Sequence, residues 1–281
     1  MRAALAGAVA AVALVLAAPA LAATLGDADV AALQVGLRAL DLYGGDIDGL
    51  AGGATLFGLG RLPGAAAPTS AATRAAFGDF GTHPLGSRPL VAGVSGWDVG
   101  ALQFLLAWHG FPSGPIDGAF GERTAKALLR FQRWAGIPPI GVAGPQTLAA
   151  LRGPLPQSPV TLAFPLTAPI GDGFGPRGNR FHSGVDFVAE RKTRVAAAGD
   201  GVVVSAGPWG GGYGRVVEID HGQGVTTLYA HLSVIRAKAG ERISRGTVLG
   251  LVGSTGDATG PHLHFEVRVR GAAVDPATAL R

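Results

Sequence analysis

Hydrophobic and polar positions divide the chain into three stretches with different periods. Residues 3–23 carry no charge and are mostly Ala, Val and Leu. From there to about residue 152 the apolar positions recur at helical spacing. Val99, Leu102, Leu105 and Leu106 mark one helix, and Ala127, Leu128, Phe131 and Trp134 mark another after Gly121. Gln146 to Leu151 predicts a short third helix, with turns at Asp117-Gly118 and Gly144-Pro145. Beyond residue 165 the period falls to two. Short alternating runs such as Arg215-Val-Val-Glu-Ile, Val225-Thr-Thr-Leu-Tyr and His264-Phe-Glu-Val-Arg-Val stand between Gly-rich turns, the pattern of antiparallel strands. The predicted fold is therefore multidomain, with all-α three-helix repeats towards the N-terminus and a mainly antiparallel β domain at the C-terminus.

The helical part repeats itself. Ala32-Leu33-Gln34 and Ile47-Asp48-Gly49 match Ala101-Leu102-Gln103 and Ile116-Asp117-Gly118 at a constant offset of 69 residues. Thr73 and Phe80 match Thr124 and Phe131 at an offset of 51. The first copy is therefore expected to carry an insertion of 18 residues, roughly Gly53 to Ser70, whose Gly and Ala content predicts a mobile loop. The second copy, residues 93–152, has Leu-Gln near its start, Ile-Asp-Gly-x-Phe-Gly before its second helix and Phe131-Gln132 within that helix. It resembles the peptidoglycan-binding-like domain of many cell-wall enzymes. The first copy, residues 27–90, reads as a degenerate version, with Gly-Asp where the second has Leu-Arg before the matched Phe. Trp97, Trp108 and Trp134 have rings that stack on sugars in other settings, but aromatics at helical spacing read first as core, Trp134 above all. Pro154, Pro156, Pro159 and Pro165 make residues 153–165 an extended, semi-rigid linker.

The apolar stretch after Arg2 ends in Pro19-Ala20-Leu21-Ala22, a small-x-small pattern that a signal peptidase cuts after Ala22. Residues 1–22 therefore read as a signal peptide, and the chain as secreted or held in the cell envelope. An uncleaved anchor is the alternative, because 21 uncharged residues just span a bilayer. No other stretch reaches that length, so no stable membrane span is expected after cleavage. Cysteine is absent, which excludes disulfides and thiolate metal ligands. The formal net charge of +4 favours anionic polymers such as those of a cell wall. No dense Lys/Arg cluster is interleaved with aromatics, so nucleic acid is not an expected partner.

Chemistry concentrates in the C-terminal third. His182 and Asp186 form an H-x-x-x-D pair, and His262 and His264 an H-x-H pair. Two imidazoles and a carboxylate hold a divalent ion and leave a position open for water, as in catalytic zinc sites. The same set also describes the facial triad of non-haem iron oxygenases. Strand alternation puts His262, His264, Glu266, Arg268 and Arg270 on one face of the last strand, and Leu263, Phe265, Val267 and Val269 on the other. By the same rule Thr227, Tyr229 and His231 share a face, so that His231 is expected to look into the same groove. His221, beside a hairpin turn, and His83 and His109, in the N-terminal half, read as structural. A glycosidase would need two carboxylates flanking a cleft. Asp172, Asp186, Glu218 and Asp220 suggest no such pair.

Four strings in order, FHSGVDF, GGGYGRVVEIDHGQG, TLYAHLS and STGDATGPHLHFEV, resemble the lysostaphin-type zinc endopeptidases of bacterial cell walls over nearly all of residues 168–277. A peptidase domain is accordingly expected over 166–281. The resemblance implies that His182, Asp186 and His264 bind one zinc ion and that His231 and His262 are the catalytic pair, with the base unassigned between them. It implies that Tyr213 donates a hydrogen bond to the developing oxyanion. The implied activity is zinc-dependent hydrolysis of peptide bonds in peptidoglycan. Gly210 to Gly212 and Ser254 to Gly260 are expected as flexible groove walls, with Trp209 lining one of them. A non-catalytic wall binder on the same fold would be favoured by loss of a ligand, and none is lost. The repeats are left with two expected roles, delivery to the wall or occlusion of the cleft.

Overall fold

The computed structural model describes residues 25–281, so the expected signal peptide over 1–22 lies outside the described residues. Six helices come first: α1 (Ala28–Ala39), α2 (Gly53–Gly60), α3 (Ala71–Ala75), α4 (Trp97–Trp108), α5 (Glu122–Trp134) and α6 (Pro145–Leu151). Asp27 starts α1, its carboxylate accepting the N–H groups of Asp29 and Val30. α1 and α4 pack on each other, which joins the two copies. Trp97 of α4 is fully buried among Ala32, Leu33 and Leu37, and its indole N–H donates to Asp29 at 2.7 Å.

Each copy is built around one buried glutamine. Gln103 donates to Asp117 (2.9 Å) and Thr124 (3.1 Å) and accepts from the Gly118 N–H (2.8 Å). Gln34 does the same with Asp48 (2.6 Å), Thr55 (3.1 Å) and Gly49 (2.9 Å). Every one of these partners lies 69 positions from its counterpart. Thr55, not Thr73, is thus the counterpart of Thr124, and α2 is the counterpart of α5, cut from 13 residues to 8. The expected insertion at Gly53 to Ser70 is corrected on this point: its first half is helix. Two Gly-rich turns of helix are hard to read from sequence, since Gly lowers helix propensity and the glutamine that holds Thr55 is 21 residues away.

The β part contains β1 (Ile170–Asp172), β2 (Gly175–Arg177), β3 (Arg180–His182), β4 (Val185–Val188), β5 (Arg194–Ala196), β6 (Gly201–Trp209) and β7 (Gly214–Asp220). It continues with β8 (Val225–Ala230), β9 (Val234–Ile235), β10 (Arg242–Ile243), β11 (Val248–Leu251), β12 (His262–Val269) and β13 (Ala272–Val274). The main sheet runs β1-β4-β12-β8-β7-β6-β10, with β13 also paired to β12. β5, β11 and β9 form a second sheet, and β2 and β3 a separate hairpin. All of these pairings are antiparallel, as the alternating runs predict. Leu263, Phe265 and Val267 face a core shared with Val185, Phe187, Tyr229, Val195 and Leu249.

The helical and β parts share a packed boundary. Phe181 of β3 lies in one apolar cluster with Val35, Ile47, Phe104, Trp108 and Ile116. At the far end of β12, the Trp134 indole N–H donates to the Val269 carbonyl (3.1 Å), and the Ala273 N–H donates to the Gly110 carbonyl (3.2 Å). The Pro-rich stretch has no helix or strand, as expected, but it does not merely span a gap. Leu162 is buried in the β core and bonds with Ala279 and Arg281. Trp97 and Trp108 are buried at 0% and 3% exposure, which removes both as surfaces for sugar rings.

Candidate metal centre and cleft

β12 is the spine of the site. His264 stands opposite Asp186 of β4 in register, so both side chains rise from one face of the sheet. His182, at the end of β3, reaches the same point from the hairpin. His182 Nε2, Asp186 Oδ1 and His264 Nδ1 lie 2.8 to 3.1 Å from one another and could hold a metal ion.

The hydrogen-bond partners fix which nitrogen of each ring is bare. His182 Nδ1 meets the Gly173 carbonyl at 2.7 Å, and a carbonyl only accepts, so that nitrogen carries the proton and Nε2 is free. His264 Nε2 meets the Glu266 carboxylate at 3.0 Å, which leaves Nδ1 for the centre. Two ring lone pairs and a carboxylate oxygen therefore converge, an arrangement that needs a cation among them. With no ion bound, burial lowers the pKa of His264, but hydrogen bonds to Asp186 and Glu266 overturn that and raise it to about 9, so that a proton on Nδ1 meets Asp186 where an ion would otherwise sit. Burial opposes ionisation of Asp186 as well, and its bonds to His182 and His264 hold it far below the usual carboxylate range. A tetrahedral ion with bonds of about 2.0–2.2 Å sets its ligands about 3.3–3.6 Å apart, so the donors here, 2.8 to 3.1 Å apart, would open by a few tenths of an ångström around it. Nitrogen and oxygen donors without thiolate, at this spacing, suit zinc.

His231 and His262 flank the same point. Their rings lie 4.6 Å apart, and His262 Nε2 is 3.9 Å from Asp186 Oδ1. Both place Nδ1 on a backbone carbonyl, Thr255 at 2.7 Å for His231 and Gly260 at 2.9 Å for His262. Their Nε2 atoms are left bare. Burial lowers the pKa of His231, so the ring is neutral at pH 7.

The route by which His231 arrives differs from the alternation rule. Tyr229 pairs with Phe265, and Thr227 with Val267, so both point into the core. Strict alternation would bury His231 with them. Instead β8 ends at Ala230, and His231 adopts a left-handed backbone with φ of 61° that swings its ring back over the groove.

Tyr213 lines the cleft, but its hydroxyl donates to Glu266 at 2.7 Å. Burial and the Glu266 charge push its pKa well above the ordinary tyrosine value. Glu266 is the residue that sequence reading passed over. It is fully buried and receives His264, Tyr213 and the Arg268 guanidinium, whose Nε is 2.6 Å away. Burial would raise its pKa; the donors win and hold it near 2. Its signal was its place two residues after His264 on the same strand face. Arg177, likewise unremarked, steadies the other oxygen of Asp186 at 3.3 Å.

The cleft measures about 600 Å³. Two loops contribute to its lining, one with Gly211, Gly212 and Tyr213 and the other with Asp257, Thr259 and Gly260. These loops are tied together, since the Asp257 N–H donates to the Gly212 carbonyl at 2.8 Å and Gly256 approaches Gly212 too closely for a Cβ. Their Gly content thus serves close approach. Trp209 stands behind Tyr213, edge-on at 6.2 Å, and outside the lining. His221 bonds with Asp200 and Thr227, away from the cleft, and His109 is buried in the helical part.

Residues 180–276 match the profile of peptidase family M23, and residues 95–151 that of a peptidoglycan binding domain. The C-terminal unit is a peptidase family M23 domain. Its similarity to curated proteins includes the DD-carboxypeptidase/endopeptidase Mpg of Neisseria meningitidis, 48% identical over 99 residues, covering 35% of this chain and 23% of that protein. The peptidoglycan DD-endopeptidase ShyA of Vibrio cholerae is 47% identical over 100 residues, covering 35% and 23%. Among solved structures, the catalytic domain of lysostaphin from Staphylococcus simulans is 34% identical, covering 39% of this chain and 89% of that one, with a TM-score of 0.37. The chain spans about a quarter of the length of the curated relatives. The M23 match begins at Arg180 and so includes His182, Asp186, His231, His262 and His264.

Proposed function

We propose that the protein is a zinc-dependent endopeptidase that hydrolyses peptide bonds of peptidoglycan, in the stem peptide or a cross-link, during cell-wall remodelling or lysis. The observation that carries the reading is the convergence of three bare donor atoms beside two further imidazoles with free Nε2 atoms. His182 Nε2, Asp186 Oδ1 and His264 Nδ1 hold one zinc ion, which when bound supplies a water of pKa about 7 and polarises a carbonyl.

The chain's own groups do the rest. His231, neutral at pH 7, and His262 offer Nε2 to take a proton from the attacking water and return one to the leaving amine. Glu266 keeps His264 in the tautomer that frees Nδ1, and Arg177 turns Asp186 so that one oxygen faces the centre. Tyr213 acts through Glu266; donation to an oxyanion would require its hydroxyl to leave that carboxylate. The cleft of about 600 Å³ would take the extended peptide.

The layout completes the proposal. Residues 1–22 export the chain, 27–90 and 93–152 are peptidoglycan-binding-like repeats, 153–165 link them, and 166–281 form the peptidase. The two DD-endopeptidase relatives and the peptidoglycan binding match support the polymer and an extracytoplasmic site of action.

Zinc content and mass spectrometry of digested, purified peptidoglycan test the reading. About one zinc per chain and peptide-cleaved products are expected, with His264→Ala losing metal and His231→Ala keeping metal but losing turnover. Intact cross-links after incubation with zinc-loaded protein would sink the assignment, and sugar-cleaved products would turn it towards a glycosidase.

A further inference from the structure

His182 ends a hairpin, β2–β3, that pairs with no other strand among the described residues. An isolated two-stranded hairpin is marginal in water. Arg177 of β2 pairs with Asp172 and Asp186 of the main sheet at 2.6 and 3.3 Å, and the tip of the hairpin is held by both helical copies, at corresponding positions. The Ile47 N–H donates to the Gly178 carbonyl at 2.9 Å, and the Ile116 N–H to the Asn179 carbonyl at 2.7 Å. These isoleucines open the two Ile-Asp-Gly segments, 69 residues apart. The Asp46 carboxylate adds a bond from the Gly178 N–H at 2.6 Å. Pro115 stands at the matching place in the second copy, so this bond is made once. Next to His182 along the strand, Phe181 points the other way and packs edge-on against Trp108, ring centroids 5.3 Å apart, and against Phe174 at 5.0 Å. The residues lining the cleft all belong to the β part.

We propose that the pair of helical repeats is a clamp that positions His182, with Asp46 and Trp108 as positioning residues acting through the hairpin. The Ile-Asp-Gly faces of both copies are occupied by the enzyme's own β2–β3 tip. The repeats thereby set how firmly the centre keeps its metal, without touching it. Firm metal retention rests on the reading of His182 as a zinc ligand; the grip on the hairpin does not.

Asp46→Ala and Asp46→Asn in the full chain test the clamp. Asp46 is exposed, so its replacement removes the bond to Gly178 without opening the core. Outer partners of metal ligands typically alter affinity about 10- to 100-fold, and Asp46→Ala is expected near the low end, with zinc passing to a chelator about tenfold faster. Amide exchange over 177–182 should accelerate, while the melting temperature of the metal-free chain stays put. Asn restores both, because its amide oxygen accepts the same N–H. Wild-type exchange and zinc loss in Asp46→Ala would overturn the clamp, as would an equal fall in melting temperature for both variants. If the wild type takes up no zinc, the ligand reading fails by itself. The clamp then stands or falls on whether hairpin exchange accelerates in the Ala variant alone.

Discussion

His264 has two ring nitrogens with separate duties, and the second depends on Glu266. Nδ1 faces the metal position, and it is free to do so only because Nε2 gives its proton to a carboxylate buried beneath the ring. Three donors hold that carboxylate ionised. Removing its charge while keeping its shape therefore weakens the tautomer preference and the basicity of His264 without opening a cavity. Glu266→Gln is expected to reduce zinc affinity about 10- to 100-fold, the range for partners of metal-bound histidines. Competition with a chromophoric chelator measures it. Unchanged affinity would mean that Glu266 serves Arg268 and Tyr213 rather than the centre. The His and Asp residues were legible in the sequence because imidazole and carboxylate are conspicuous in a chain with 15% charged residues. Glu266 was not, because a Glu next in line on a strand face looks like a solvated side chain until the Tyr213 loop and Arg268 are seen to cover it.

At the scale of elements, the alternation along β12 was readable because both faces are set by one strand: apolar residues to the core, ligands to the groove. β8 was read too far. Period-two alternation holds only while the strand continues, and nothing local to Leu-Tyr-Ala-His announces that residue 231 turns left-handed. α2 failed in the opposite direction, because Gly-rich composition hid a helix held by a distant glutamine. The end of α4 yields a prediction of another kind. His109, which caps it, is 1% exposed, meets the Leu151 carbonyl through Nε2 at 2.9 Å and packs edge-on against Phe131. Burial lowers its pKa below 6.5, the Leu151 bond opposing only in part. Between the lowered folded value and the ordinary one, the unfolded chain binds the extra proton. Stability from this group is therefore complete above about pH 6.5 and declines as pH falls below it. Urea midpoints at pH 7.5 and 5.5, measured on chelator-treated protein, should fall more for the wild type than for His109→Gln. Equal falls would place the acid sensitivity elsewhere.

For the molecule as a whole, the Pro-rich stretch suggested two units joined by a spacer, and the packing makes them one. Proline density reports that residues 153–165 cannot be helical; it says nothing about what lies on either side of them. The repeats and the β part share two apolar clusters, one through Phe181 and one through Ala272 of β13, which is buried with Leu102, Phe111 and Phe131. A shared core implies one unfolding transition rather than two. Gly110 is the point where that coupling is most exposed to a single substitution. It has φ of 84°, and a Cβ there would fall 2.2 Å from the Ala273 carbonyl oxygen and 2.4 Å from its nitrogen, both backbone atoms of a paired strand. Gly110→Ala must therefore combine left-handed strain of roughly 1–3 kcal/mol with displacement of β13 from the end of α4. Scanning calorimetry should show a single transition for the wild type and an earlier, split one for the variant. The first component should be the helical part, which depends on β13 for Ala272 in its core, and the second the β part, whose main core cluster contains no helical residue. A variant that melts in one step at the wild-type temperature would show that the two parts are not coupled through this contact.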